Sequence, residues 1–401
     1  MKNSIDARRR QVIFGATGVA AAAGLATFSP AGLAAAADKG KPLPEYASWK
    51  EADAVIVHSA NTIETKRGAL GTGGITPSDR LFVRNNISPP DASIVADPDA
   101  WTVAFEGVRN PRDITVADLK SMGITAVPMV LQCSGNGRGF FAHKASGTQW
   151  KVGAAGCVVF TGVPLSIVAK NLGGVAERMR FITATGGEKL PDGIDPKTLI
   201  VERSVPLKAL QTAFLAWEMN GETLPLAHGG PLRLIVPGYY GVNNVKYVKR
   251  LAFTEAETTA NIQSSGYRVR PVGEKGKPGQ PSMWEMPVKS WINQPAGHGP
   301  VRAGVVNVDG VAFAGTRAVR RVEVSTDGGK SWKQARFIGP DLGRYGWRHF
   351  VIPVKLEAGT HTLMSRATDS AGNTQPAERM ENERGYGHNG WRDHAVEVSV
   401  A

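Results

Sequence analysis

Cysteine is nearly absent from this chain of 401 residues: only Cys133 and Cys157 occur. Two cysteines exclude a disulfide-stapled fold, and they cannot supply a CxxCH haem attachment. They could still pair with each other; the reading preferred is one functional thiol and one packed thiol. There is no long Lys/Arg block and no arginine-aromatic module, so the formal net charge of +12 does not point to nucleic acid. A diffuse positive field fits a small anionic substrate or an acidic protein partner. The alternative is a merely basic, solvated surface. Internal repeats are missing, and so are low-complexity segments beyond the N-terminus.

What is present begins with a leader. Arg8, Arg9 and Arg10 precede a weakly hydrophobic Ala/Gly/Val stretch, and an Ala-rich run follows at 34–37. This pattern resembles a twin-arginine export signal, with an ordinary secretory signal as the competing reading. Pro30 and several glycines make the stretch too polar for a membrane anchor. The expectation is a periplasmic protein, with no membrane anchor after signal removal, that folds around a cofactor before export.

Residues 38–90 read as irregular, with one short apolar run at 81–84. Strands are expected at 101–106 and 232–236, and helices at 116–122, 165–172 and 207–215. A Gly/Pro/Lys-rich linker is expected at 263–287. Beyond it, a hairpin at 319–325 and 332–337 turns at Asp327-Gly328-Gly329. Further strands at 349–354, 361–367 and 395–400 point to an immunoglobulin-like sandwich. The fold class is α+β, with a leader at 1–37, a catalytic domain at 38–280 and an all-β domain at 281–401.

Cys133 stands out within LQCSGNGR, residues 131–138. An apolar strand-like stretch precedes it, and Gly135 and Gly137 let the backbone approach a bulky ligand. Arg138 adds a permanent cation of the kind that favours thiolate. A thiolate on such a turn is a good ligand for a soft, high-valent metal. Taken alone, Cys133 also reads as a small buried hydrophobe beside a structural turn.

With FVRNN at 82–86, the stretch AWEMNGETLPLAHGGPLRLIVPGYYGVNNVKYVKR at 216–250, and NERGYGHNGWRDHAVEVSV at 382–400, this motif resembles the sulfite oxidase family of molybdenum enzymes. The matched blocks run in order through nearly the whole chain after the leader. The resemblance implies a sulfite oxidase-like molybdopterin-binding domain, and a sandwich that forms a homodimer. It implies molybdenum bound by molybdopterin (a pyranopterin dithiolene), with Cys133 as the one protein ligand. Arg84, Arg138 and Arg384 then line an anion pocket, because guanidinium groups stay charged and fit oxyanions in a planar fork. Tyr267 donates a hydrogen bond there, and Trp150 walls the pocket. His228, Arg233 and Lys246 seat the pterin phosphate, with Asn85, Asn86, Ser134 and Asn244 as further cofactor contacts. Asn86 departs from the family, which usually has His at that position. Asn donates a hydrogen bond but carries no charge, so a proton-transfer role there is in doubt.

The implied activity is oxidation of sulfite to sulfate. No cytochrome b5-like, flavin or nicotinamide segment is evident, so a separate c-type cytochrome is the expected electron acceptor. That favours a bacterial, periplasmic, haem-free sulfite dehydrogenase. Alternatives are the sulfane dehydrogenase subunit of the thiosulfate-oxidising system, which acts on carrier-bound sulfur, and a methionine sulfoxide reductase of the same superfamily. A different class is a non-catalytic periplasmic binding module built around the sandwich.

Overall fold

Two five-stranded sheets carry the first part of the fold. In one, Thr125–Gln132 pairs along its full length with Ala155–Pro164, which in turn pairs with Phe214–Met219. Glu222–Thr223 and Arg233–Ile235 complete this sheet beside Phe214–Met219. The other runs Arg112–Thr115, Thr102–Glu106, Val248–Thr254, Phe181–Gly186, Glu202–Pro206. Its one parallel pairing joins Val248–Thr254 to Thr102–Glu106. The helix Val116–Met122 starts at a capping box: Thr115 Oγ1 accepts from the Asp118 N–H, and Asp118 accepts from the Thr115 N–H. The helix Leu165–Asn171 stops before Gly173 and Gly174, both at positive φ. Val116, Leu119, Leu165 and Val168 turn into the core against Phe105, Ile182 and Leu251.

The computed structural model describes residues 41–71, 73–296 and 299–401. The leader at 1–37, with its three arginines, lies outside the described residues. In the second part, two four-stranded antiparallel sheets face each other across one core. One contains Lys289–Gln294, Gly304–Phe313, Arg348–Leu356 and Arg336–Ile338, and the other Lys333–Gln334, Val319–Ser325, Gly359–Asp369 and Val396–Val400. Ile292, Val308 and Phe350 from one sheet meet Val322, Leu363 and Val398 from the other. This is the α+β organisation ending in a β-rich domain that the sequence predicts.

The two parts are not beads on a linker. Residues 41 onward belong to a single compact unit. A shared core joins Leu70, Val130, Val152 and Cys157 of the first part to Met283, Trp291, Phe313 and Trp347 of the second. The stretch at 263–287 lacks strands but is anchored. One turn of π-helix at Ile262–Gly266 precedes Tyr267, and Arg268 and Arg270 beyond it are buried.

Three expectations change. The segment at 207–215 is not a helix. A 3-10 turn at Leu207–Gln211 leads into the strand Phe214–Met219, which is buried on both faces within its sheet. A continuous apolar run of this length fits either period, and tertiary pairing decides. The N-terminal stretch is not wholly irregular: Val55–Ser59, Thr62–Thr65 and Val83–Arg84 form a small sheet. The hairpin at 319–337 is split. Lys333–Gln334 pairs with Val319–Ser325, but Arg336–Ile338 crosses to the opposite sheet and pairs with Arg348–Leu356. Buried Ala335 is the crossing point, and its N–H donates to Val322 O at 2.9 Å.

Glu64 ties the small sheet to the loop around Trp150. Its buried carboxylate accepts the N–H groups of Lys151 (2.8 Å) and Gly153 (3.1 Å) and pairs with His58 (2.7 Å). Glu64→Ala strands these donors and is expected to cost about 2–4 kcal/mol, read as a lowered thermal midpoint by circular dichroism.

Candidate functional site

The Thr125–Gln132 strand delivers Cys133 onto a tight turn. The Cys133 N–H donates to Ala154 O at 2.9 Å, and its carbonyl accepts the Asn136 N–H at 3.0 Å. Gly137 has φ +100°, and a Cβ there would stand 2.6 Å from the His388 ring. Gly135 is needed for a different reason: a Cβ would collide with the Arg138 guanidinium. Cys133 is 8% exposed and opens onto a cleft, whereas Cys157 is fully buried. Both thiols are free. Burial pushes the Cys157 thiol up to about 12, which suits a packed, inert thiol.

The cleft has an inner and an outer space, of about 60 and 430 Å³. Arg84, Asn85, Asn86, Cys133 and Tyr267 line both. The outer volume alone falls within the roughly 300–1,000 Å³ of small-molecule sites.

The inner space is lined by the cations Arg233 and Lys246, with Lys50 set behind His228. Lys246 Nζ donates to Asn85 Oδ1 and Ala227 O, both at 2.6 Å. Arg233 donates to the carbonyls of Asn244 (3.0 Å) and His228 (2.8 Å). Lys50 donates to Ser78 O and Leu81 O and lies 3.2 Å from His228 Nε2, which accepts from it as a neutral imidazole. Burial, then the charges of Lys50, Lys246 and Arg233, holds His228 well below the usual imidazole range. Burial brings Lys50 down to about 7 and Arg233 to about 10, and holds Lys246 well below the lysine range. Glu188, on the same lining, is raised to about 7 by burial.

The outer space holds Arg84, Arg138 and Arg384 with Tyr267 and Tyr386. Among the described residues, none of these arginines makes a salt bridge, and neither do Lys50, Arg233 and Lys246. Arg138 is a clamp: it donates to Arg384 O at 2.8 Å and Thr148 O at 3.0 Å. Arg384 Nε is buried with no protein partner. Asn86 Oδ1 accepts from Arg84 (2.9 Å) and from the Tyr267 hydroxyl (3.2 Å). It thereby orients an arginine and a tyrosine at once. The Tyr267 and Tyr386 rings stack at 5.1 Å, 9° from parallel.

Of the residues named from sequence, Trp150 alone lines neither space. It is fully buried behind Phe82, edge-on at 6.4 Å, with its Nε1 unpartnered. Asn244 lines the inner space, but its side chain is bonded to Val236 N and Tyr240 O. It holds the turn and is not a free donor. Sequence reasoning missed Lys50, Glu188, Tyr386 and Lys289. Tyr386 lies two residues after Arg384 in the same block and was within reach. The other three are single charged residues in segments without a motif.

Residues 90–262 match the oxidoreductase molybdopterin binding domain, and residues 280–400 the Mo-co oxidoreductase dimerisation domain. Sulfite oxidase of Gallus gallus is 31% identical, over 75% of this chain and 68% of that protein. The chain belongs to the sulfite oxidase family. Mitochondrial sulfite oxidase of Homo sapiens is 30% identical over 82% of this chain, which spans 62% of that relative's length. Among solved structures, the sulfane dehydrogenase SoxCD of Paracoccus pantotrophus superposes with a TM-score of 0.71 and 26% identity. The match covers 94% of this chain and 96% of that one. A purely non-catalytic binding module is thereby set aside.

The family's cofactor is molybdenum held by molybdopterin, and the cleft fits it. The inner space offers concentrated positive charge without a salt-bridged carboxylate, as a phosphate requires. Ser134 Oγ, on the same lining, is buried and unpartnered. Cys133, on the lining of both spaces, would be the soft ligand.

The depressed lysines set a pH dependence. Lys50 titrates near 7 when folded and at 10.5 in the reference state, so from about pH 7 to 10 the unfolded chain binds more protons. The cofactor-free protein should therefore gain stability as pH rises through that window. Glu188 acts oppositely between 4.5 and about 7, where the folded state holds the extra proton and stability falls as pH rises. Lys50→Met should flatten the upper slope, an effect on the order of a few kcal/mol, measured by urea unfolding at pH 7 and 9.5.

Proposed function

We propose that the protein is a periplasmic sulfite dehydrogenase that oxidises sulfite to sulfate and passes electrons to a separate c-type cytochrome, working as a homodimer. The observation that carries this reading is a half-exposed set of unpaired guanidinium groups, Arg84 and Arg384, around the opening of Cys133. Sulfite plus water gives sulfate, two protons and two electrons. The bound molybdenum supplies the oxygen-atom transfer and the redox change.

The chain's own residues bind and orient. Arg84 and Arg384 hold the oxyanion oxygens and keep it charged and oriented. Arg138, bound to two carbonyls, contributes field and fixes the backbone of Arg384. The Tyr267 hydroxyl has one proton, given to Asn86 Oδ1 in this structure, and it donates to the oxyanion by turning that proton away from Asn86. Tyr386 holds the Tyr267 ring from behind. His228, Arg233 and Lys246 anchor the phosphate end of the cofactor, Lys50 backs His228, and Asn85 fixes Lys246. Export by the twin-arginine route, read from the arginines at 8–10, accounts for cofactor loading before translocation. Among the described residues no helix is long and apolar enough to cross a membrane.

A second reading is a sulfane dehydrogenase subunit acting on carrier-bound sulfur. The likeness to SoxCD favours it, because it covers nearly all of both chains. Purified protein, assayed for molybdenum and for sulfite-dependent reduction of cytochrome c, tests both. Turnover of free sulfite supports the first reading. A molybdenum-loaded protein that ignores free sulfite but oxidises a protein-bound sulfane supports the second.

Cys133→Ser should retain less than about a tenth of the sulfite-dependent activity, because a hard, poorly acidic hydroxyl replaces a soft thiolate. Arg384→Met should raise KM for sulfite by about tenfold or more, as loss of one charge-assisted contact implies. Steady-state kinetics against sulfite concentration checks both.

A further inference from the structure

Lys289 is the first residue of the Lys289–Gln294 strand, in the second part of the molecule, yet its side chain reaches under the Cys133 turn. It is 1% exposed. Its Nζ donates to the Asn136 carbonyl at 3.1 Å. Asn136 is otherwise bonded throughout: its N–H to Cys133 O, its Nδ2 to Gln132 Oε1 (3.1 Å), and its Oδ1 from the Ala154 N–H (3.2 Å). The lysine therefore closes the last open group of the residue that shapes the turn.

No carboxylate pairs with this ammonium among the described residues. Asp393 is the nearby candidate, but Arg379 Nη1 reaches both of its oxygens at 2.9 Å, and His388 Nε2 takes one of them at 2.8 Å. His388 and His394, which feel the lysine's charge, are held neutral by burial. Burial brings Lys289 itself down to about 7, and its attraction to negative charge at the Cys133 sulfur opposes this. A buried cation beside a thiolate ligand is the arrangement by which outer groups tune a metal.

We propose that Lys289 is a positioning and charge-tuning residue of the metal centre: it holds the Cys133 turn through Asn136, and its positive charge raises the midpoint potential of the bound molybdenum. Adding electrons makes the centre more negative, and a nearby cation in a poorly screened interior favours that state. The inference rests on Cys133 as the metal ligand. It does not depend on which sulfur compound is the substrate.

The test compares the loaded wild type with Lys289→Gln and Lys289→Met in a redox titration followed by the molybdenum(V) paramagnetic signal. Gln keeps an N–H donor, one atom shorter in reach, without the charge; Met lacks both. Both variants should shift the midpoint to lower potential, with molybdenum content near that of the wild type. A wild-type midpoint in Lys289→Gln overturns the proposal, as does a folded Lys289→Gln protein that holds no molybdenum. If Lys289→Met does not fold, as judged by circular dichroism, Lys289→Gln alone decides. A wild type without molybdenum would instead sink the reading of Cys133 as ligand, so the two failures are distinguishable.

Discussion

Positive charge held inside the cleft with no carboxylate bonded to it among the described residues is the constraint on which the rest of the structure depends. Lys50, Arg233 and Lys289 are buried and Lys246 is half-buried, and among the described residues none of the four forms a salt bridge with a carboxylate. Such groups are costly to bury unless something anionic joins them. The fold meets part of this cost with carbonyl oxygens, from Ser78, Leu81, Ala227, His228, Asn244 and Asn136. Carbonyls hold a cation in place without neutralising it. The result is a cleft preorganised for an anionic cofactor, in which binding relieves a strain already built into the protein.

The same constraint explains why the site draws on the whole chain. Cations crowded on one element would repel each other and destabilise it locally. Here the N-terminal stretch gives Lys50 and Arg84, the first domain gives Arg138, Arg233 and Lys246, and the second gives Lys289 and Arg384. The shared core around Trp291 and Trp347 fixes the second part against the first. That apolar seam, together with the Arg138–Arg384 and Lys289–Asn136 hydrogen bonds, fixes Arg384, Tyr386 and Lys289 relative to Cys133.

Much of this was legible in the sequence, for local reasons. Cys133 could be singled out because cysteine is scarce and the glycines after it are spaced for a turn. Arg84, His228, Arg233 and Arg384 were found because each sits in a block of several matching residues. The helices at 116–122 and 165–171 were readable from apolar spacing and their ends. What failed was non-local. The strand at 214–219 looks helical until its neighbours are known. Trp150 was placed on the pocket wall, yet the fold sets it one layer deeper, behind Phe82. Lys50 and Lys289 carry no pattern at all, since their meaning comes only from what lies across the fold. Asn86 was noted as a departure from the family, but its acceptance of both Arg84 and Tyr267 required coordinates.

The clamp from Arg138 to the Arg384 carbonyl joins residues 246 positions apart. A closure of that span comes late in folding, because the loop between them must order first. Both ends of that span must be in place before the outer space of the cleft has its full rim. A chain that has not yet closed this span offers a cofactor only the Cys133 turn and a half-built rim.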